Sequence, residues 1–288
     1  MKQAFVTLLF FSFFLFSNYQ LLGQSPDPFV HQSLKKVWES EKLLATPESV
    51  IYDEKNDVLY VSNVNGKPSD KDGNGFITKM STEGKILNLK WINGLNAPKG
   101  MAIFNGKLYV SDIDHLVEID IKQGKIIKQH KAKKAKFLND VAVDKEGAVF
   151  VSDMENNIIY QYKNDTFDIW LRIGNLFQPN GLLVDNNCLL IGCMNYVVSA
   201  DLKTKHVRTF ITETGSIDGI IKNDKDHYII SDWLGNINLI DKTNPKIKLL
   251  STESNKINAA DIEYISSKKL LLVPTFFDNR VMAYEINL

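Results

Sequence analysis

Cysteine is scarce in this 288-residue chain: only Cys188 and Cys193 occur, five apart in one apolar run. A strand through that run points them to opposite faces, so no bridge between them is expected, and two cysteines build no disulfide framework. An excess of charge of either sign is also missing, since Lys plus Arg and Asp plus Glu each number 34. That balance leaves no electrostatic footprint for nucleic acid or an anionic membrane. No Gly-x-x-x-x-Gly-Lys-Ser/Thr loop is present to cradle a nucleotide's phosphates. Beyond the N-terminus no apolar run is long enough to span a bilayer. With 44% hydrophobic and 24% charged residues, the disordered, collagen-like and coiled-coil classes are excluded as well.

What is there begins with a targeting segment. Lys2 precedes an uninterrupted apolar stretch from Ala4 to Phe16, followed by Ser17-Asn18-Tyr19-Gln20. A short positive region, about a dozen apolar residues and then a small residue form the pattern of a secretory signal peptide. Gly23 is the best small residue for cleavage, so residues 1–23 are taken as signal peptide, 24–34 as an N-terminal extension and 35–288 as one folded domain. The run is short for a membrane anchor of roughly 20 residues, and no cysteine follows it to carry a lipid. The expected protein is exported, periplasmic or secreted, with no stable membrane insertion after cleavage. Nothing in the sequence sets an oligomeric state.

The remainder repeats. Six segments share a turn, a short apolar strand, a polar hairpin and a second strand that mostly ends in a small or acidic residue. Examples are Asp140-Val141-Ala142-Val143-Asp144 with Val149-Phe150-Val151-Ser152-Asp153, and Gly100-Met101-Ala102-Ile103 with Leu108-Tyr109-Val110-Ser111-Asp112. The residues just before each first strand are Glu48, Lys99, Asn139, Asn180, Asp218 and Ala260, at intervals of 51, 40, 41, 38 and 42. Further strands with polar alternation follow, such as Leu116-Val117-Glu118-Ile119-Asp120. Short strands at regular spacing with Gly, Asn and Asp turns predict an all-β protein. A period near forty with up to four strands predicts a β-propeller of six four-stranded blades, since a two-layer sandwich has no reason for six-fold spacing. Lys35 to Leu44, ahead of the first full repeat, are expected to supply an N-terminal strand that closes the last blade.

A propeller gathers equivalent positions of its blades around a central channel. Four of the six ring residues, Glu48, Asn139, Asn180 and Asp218, then bring side-chain oxygens to one mouth. Two carboxylates and two neutral amides suit one hard divalent cation, calcium first, with magnesium, manganese and zinc as alternatives. No histidine or cysteine holds a ring position, which disfavours zinc among these. Asn and Asp also precede strands simply because they make turns.

Pro47-Glu48 with Val50-Ile51-Tyr52-Asp53, then Phe137-Leu138-Asn139-Asp140, Pro179-Asn180-Gly181-Leu182 and Ile217-Asp218-Gly219 resemble the senescence marker protein/gluconolactonase family. Its relatives include the calcium-dependent phosphotriesterase and paraoxonase propellers. The resemblance covers roughly residues 35–288. It implies a six-bladed propeller with one divalent metal held by Glu48, Asn139, Asn180 and Asp218, and metal-dependent hydrolysis of a lactone or related ester as a small-molecule substrate. Asp218 is then the family-like group to activate water, and Asn139 a ligand or substrate contact. The alternative is a non-catalytic propeller in which a structural calcium ties the blades and the mouth binds a ligand or partner.

Several residues stand apart. Lys99 matches no ligand of that family; it reads as a substrate contact for a carboxylate or phosphate, or as a solvated rim residue. His115 reads as an outer hairpin residue rather than a base. Asp261 is either an acidic turn residue or a channel-facing ligand for a second, structural ion. Asp70-Lys71-Asp72-Gly73-Asn74-Gly75 opens like a calcium-binding loop, but its twelfth position is Ser81, so a glycine-rich hairpin or lid over the channel fits better. Lys122, Lys125, Lys128, Lys131, Lys133, Lys134 and Lys136 read as a solvated outer strand and connector, or as a face toward an anionic ligand or envelope surface. Trp233, Phe276 and Phe277 form an apolar wall at the mouth or pack between blades.

Overall fold

In the computed structural model the described residues are 28–174, 177–223, 227–241, 243 and 246–288, so the signal-peptide expectation for 1–23 lies outside them. Six antiparallel sheets follow one another: blade 1 (47–95), blade 2 (98–131), blade 3 (138–172), blade 4 (182–212), blade 5 (220–251) and blade 6 (263–286). The chain is a six-bladed β-propeller. Among the described residues, helical structure is limited to three 3-10 turns, Glu253–Asn255, Ser266–Lys268 and Phe276–Asp278.

The ring is closed from the N-terminus, as expected. Leu34–Glu39 pairs antiparallel with Val281–Ile286 and becomes the outermost strand of blade 6. The closing strand thus ends at Glu39, five residues short of Leu44. A second closure was not foreseen: Phe29–Val30, taken as part of the extension, pairs with Ile247–Ser251 as a fifth strand of blade 5. Between the two, His31 N donates to Leu249 O at 2.8 Å. One short segment therefore straps blades 5 and 6 together.

The apolar interior falls into clusters at the junctions between neighbouring blades, and strand alternation explains why. In blade 4, Leu189 and Ile191 pack toward blade 3 while Leu190, between them, packs toward blade 5. In blade 2, Leu108 and Val110 face blade 1 and Tyr109 faces blade 3. Successive side chains of a strand point to opposite faces, so a strand with blades on both sides is apolar throughout. Each such side chain stabilises the fold by about 1.5–3 kcal/mol on burial.

The Ser-Asp ending of the second strands has its own explanation. Ser62, Ser152 and Ser231 accept from the backbone N–H of Ser49, Asp140 and Gly219 at 3.0, 2.9 and 2.9 Å. Ser111 and Ser231 donate onward to the carbonyls of Asn139 and Ala260 in the next blade. The following acid takes the incoming connector: Asp112 accepts from Asn96 N and Ala97 N, and Asp153 from Lys136 N and Phe137 N. Backbone groups at the channel end, where strand pairing is interrupted, are satisfied in this way.

A candidate cation site at the channel mouth

The innermost strands of the first three blades begin in register irregularities, between Pro47 and Ser49, Pro98 and Met101, and Leu138 and Val141. A bulge re-aims the residues it releases, and those released here include Glu48, Lys99 and Asn139. Asn180 and Asp218 lie two residues ahead of their strands, held by Asn180 N to Gly192 O and Asp218 N to Ser231 O, both 2.9 Å. Five different blades thereby deliver Glu48, Lys99, Asn139, Asn180 and Asp218 to one pocket of about 300 Å³. Ala260, the sixth ring residue, is buried and offers no side-chain donor.

Burial governs the electrostatics of this pocket. It pushes the Glu48 carboxyl well above the usual carboxylate range, the charge of Asp218 adds to the rise, and Lys99 opposes it. Burial also pushes Asp218 up to about 7, against the hydrogen bond from Asn180. Removal from water disfavours the charged form of each group. Lys99 responds in the opposite sense, pushed down to about 8 by burial while Glu48 and Asp112 hold it up.

Two acceptors in the pocket are buried without a hydrogen-bond partner, Glu48 Oε2 and Asn180 Oδ1. Asn180 Nδ2 donates to Asp218 Oδ1 at 2.9 Å, so the amide is oriented with its oxygen as the unpartnered end. A buried acceptor left unsatisfied costs about 1–3 kcal/mol. Two of them beside a pair of carboxyls whose ionisation is disfavoured make a site whose chemistry a hard, oxygen-ligated cation fits. Among the described residues no three His, Cys, Asp or Glu side chains cluster as a metal site. A centre here depends on asparagine oxygens joined to two carboxylates, a donor set for calcium or magnesium rather than zinc.

Lys99 is not a solvated rim residue: it is 1% exposed. Its Nζ donates to Pro68 O at 2.9 Å and Ala97 O at 3.0 Å and stands 4.5 Å from the centre of the Phe137 ring. Pro68 belongs to the 64–74 loop, so Lys99 fastens that loop over the mouth. Lys71 Nζ to Asp114 Oδ2 at 2.7 Å and Gly73 N to Asn96 Oδ1 at 3.3 Å anchor the loop to blade 2. Asp72 is engaged by Asn74 N and Nδ2 at 3.2 and 2.6 Å. The 70–75 segment is thus a tethered hairpin connection. His115 pairs with Asp114 at 2.8 Å, and no histidine lines the mouth pocket.

One layer deeper, the carboxyls of Asp140 and Asp261, brought in from opposite blades, lie close enough to influence each other's ionisation. Asp140 accepts from Val141 N at 2.6 Å and Leu182 N at 2.5 Å, and Asp261 from Ser49 Oγ at 2.9 Å. Burial, with the charge of Asp140, drives Asp261 well above its ordinary range, while burial takes Asp140 to about 7. The two carboxyls floor the mouth, and burial disfavours ionising both at once. Glycines make room for them: a Cβ on Gly219 would lie 2.6 Å from Asp261 Oδ1 and 2.7 Å from Ile262 N. Asp261 therefore faces the channel, whereas the role of Asp140 went unread in the sequence, although it directly follows Asn139.

Solved structures share this architecture. A catalytically inactive virginiamycin B lyase from Staphylococcus aureus, crystallised with quinupristin, is 13% identical, with 88% of this chain and 99% of that chain covered at a TM-score of 0.62. A streptogramin B lyase is 12% identical, with 88% and 97% covered at a TM-score of 0.65. At these identities the likeness is one of fold. No family model and no curated protein matches the chain.

Proposed function

We propose that this chain is an exported, divalent-cation-dependent hydrolase of a lactone or related ester, of the senescence marker protein/gluconolactonase-like kind. One observation supports the reading: two buried, unpartnered acceptor oxygens, Glu48 Oε2 and Asn180 Oδ1, belong to residues of the pocket that Asp218 and Asn139 also line. Glu48, Asn180 and Asp218 would hold the cation, calcium first, with Asn139 as a fourth ligand or a contact to substrate. When bound, such a cation supplies Lewis acidity toward a carbonyl and stabilises developing oxyanion charge. Asn180 fixes the orientation of the Asp218 carboxyl, the group best placed to take a proton from water as it adds to the acyl carbon. The acyl C–O bond breaks and the ring or ester alkoxide leaves protonated, giving a hydroxy acid from a lactone. Lys99 holds the 64–74 loop closed over this chemistry and places a cationic amine beside Glu48.

A second reading has one observation in its favour: every carboxyl in the mouth pocket is also a candidate ligand, and no histidine lines it to act as an independent base. On that reading the cation ties the blades and the mouth only binds. Hydrolysis of sugar and homoserine lactones by the mature protein, with and without chelator and in Asp218→Ala, separates the two. Turnover lost on chelation and in the variant supports the hydrolase. Calcium-dependent stabilisation with no turnover on any member of the panel leaves the binding propeller.

A further inference from the structure

The mouth is lopsided. On blades 1 to 3 the turns that overlook it are mixed, carrying Lys71, Asp114 and Glu155 with Asn156, while Val64, Ile113 and Met154 each give one apolar side chain. On blades 5 and 6 each corresponding turn places two large apolar residues at its centre. In Asp232-Trp233-Leu234-Gly235 the turn is closed by Gly235 N to Asp232 O at 3.1 Å, and in Thr275-Phe276-Phe277-Asp278 by Asp278 N to Thr275 O at 3.1 Å. Turn centres ordinarily hold Pro, Asn, Asp, Ser or Gly. Instead Trp233, Leu234 and Phe277 are 41%, 59% and 65% exposed, and Met194 and Tyr196 of blade 4 extend the apolar arc at 52% and 39%.

The arc is built rather than loose. Trp233, Phe276 and Phe277 meet edge to face, with ring centres 4.6, 6.0 and 4.8 Å apart. Asn258 Nδ2 donates to Trp233 O at 2.7 Å, and Gly235, at φ +99°, lets the turn lie against the Ile257 carbonyl. Phe276 sits at φ +45°, a conformation that is rare for a bulky side chain and kept where surroundings enforce it. Thr46 N to Asn279 Oδ1 at 2.8 Å moors that turn to blade 1. Trp233 and Phe276 line the same pocket as Glu48, Asn180 and Asp218. Beside the ring of polar groups the lining is mostly apolar, with Val64, Met154, Ile217, Phe137, Trp233 and Phe276, and Ser216 adds one hydroxyl.

We infer that the pocket takes a lactone or ester bearing an apolar acyl, alkyl or aryl group, seated against Trp233 and Phe276, with Phe277 packed beside them outside the pocket, while its carbonyl reaches the oxygen ring. A polyhydroxylated sugar lactone would leave its hydroxyls unpartnered against these walls, which costs affinity. The reacting end of this inference rests on the hydrolase reading; the apolar subsite does not.

Hydrolysis-resistant γ-lactams bearing methyl, butyl or hexyl groups, together with a gluconolactam, test it by calorimetric titration of the mature protein in calcium and in chelator. The dissociation constant is expected to fall about fourfold per methylene added, with the hexyl lactam at least tenfold tighter than the gluconolactam. Trp233→Ala and Phe277→Ala should flatten that dependence, and Trp233→Phe should keep most of it, which separates a lost wall from a misfolded blade. A gluconolactam that binds as tightly as the hexyl compound, or a slope unchanged in Trp233→Ala, overturns the inference. So does chain-length-independent lactam binding joined to Trp233-dependent sedimentation with phosphatidylcholine vesicles, which assigns the arc to a membrane surface. Because lactams are not turned over, absence of lactone hydrolysis alongside a normal slope removes the hydrolase reading and leaves the subsite standing.

Discussion

Replacing Glu48 by Gln sets two demands on one side chain against each other. Without a cation the Glu48 carboxyl is only 5% exposed, its ionisation is opposed by burial and by Asp218, and its Oε2 has no partner. Near neutral pH the folded chain either holds a proton that the unfolded chain releases or carries a buried charge that Lys99 offsets only in part. Either state weakens folding, and removing the charge should restore about 1–3 kcal/mol. In a domain of this size each kcal/mol moves the thermal midpoint by about 2–4 °C, so Glu48→Gln should melt several degrees above wild type in chelator. With calcium at a hundred times its dissociation constant, wild type gains about 2.7 kcal/mol, or about 5–10 °C. The variant, short of one carboxylate, should gain little. The two proteins therefore exchange order between chelator and calcium, a reversal that a merely structural glutamate would not produce. Thermal unfolding followed by circular dichroism across a calcium series reads it directly. A wild-type midpoint indifferent to calcium, magnesium and manganese, or a variant that climbs in parallel with wild type, refutes the reasoning.

Gly219→Ala would drive a Cβ against Asp261 Oδ1 and Ile262 N, and urea unfolding should show a loss of about 1–3 kcal/mol from overpacking. Glu263, held by Tyr52 N and Tyr264 N at 3.2 and 2.8 Å, is raised by burial from 4.5 to about 7. Between those values the folded chain keeps a proton that the unfolded chain has lost, so stability is full below about 4.5 and declines as pH rises to about 7. The decline is at most about 3.4 kcal/mol, and less because the Glu263 side chain is only partly buried. Glu263→Gln should flatten that part of a pH–stability curve, and an unchanged curve would contradict the assignment. The Lys71–Asp114 pair, with Lys71 52% exposed, should be worth no more than about 1 kcal/mol in a double-mutant cycle.

The blade number and the closing strand were legible because a ring repeats its local chemistry. Val-Ser-Asp endings recur since each serine and acid meets the same backbone need, and strands such as Leu189-Leu190-Ile191 are apolar throughout because blades cover both faces. The ring residues were legible for the same reason, as a fixed place in each repeat. The burial of Lys99 was not, because it comes from Pro68 and Phe137, contributed by other loops. Nor was Asp140: what sets it apart is the amide of Leu182 in the next blade and the partner Asp261 across the channel. Phe29–Val30 is too short to signal a strand, and only the exposed edge of blade 5 makes it one.

The strap at the N-terminus also orders events in time. Leu34–Glu39 is made well before its partner Val281–Ile286, since five blades of sequence lie between them. Until then blade 6 cannot be completed and blade 1 has no neighbour on one side, leaving edges open to other chains. Pairing across so long a stretch of sequence is slow to nucleate. A newly made molecule is thus most exposed to aggregation and proteases just before these two strands meet, and whatever shortens that interval should raise the yield of folded protein.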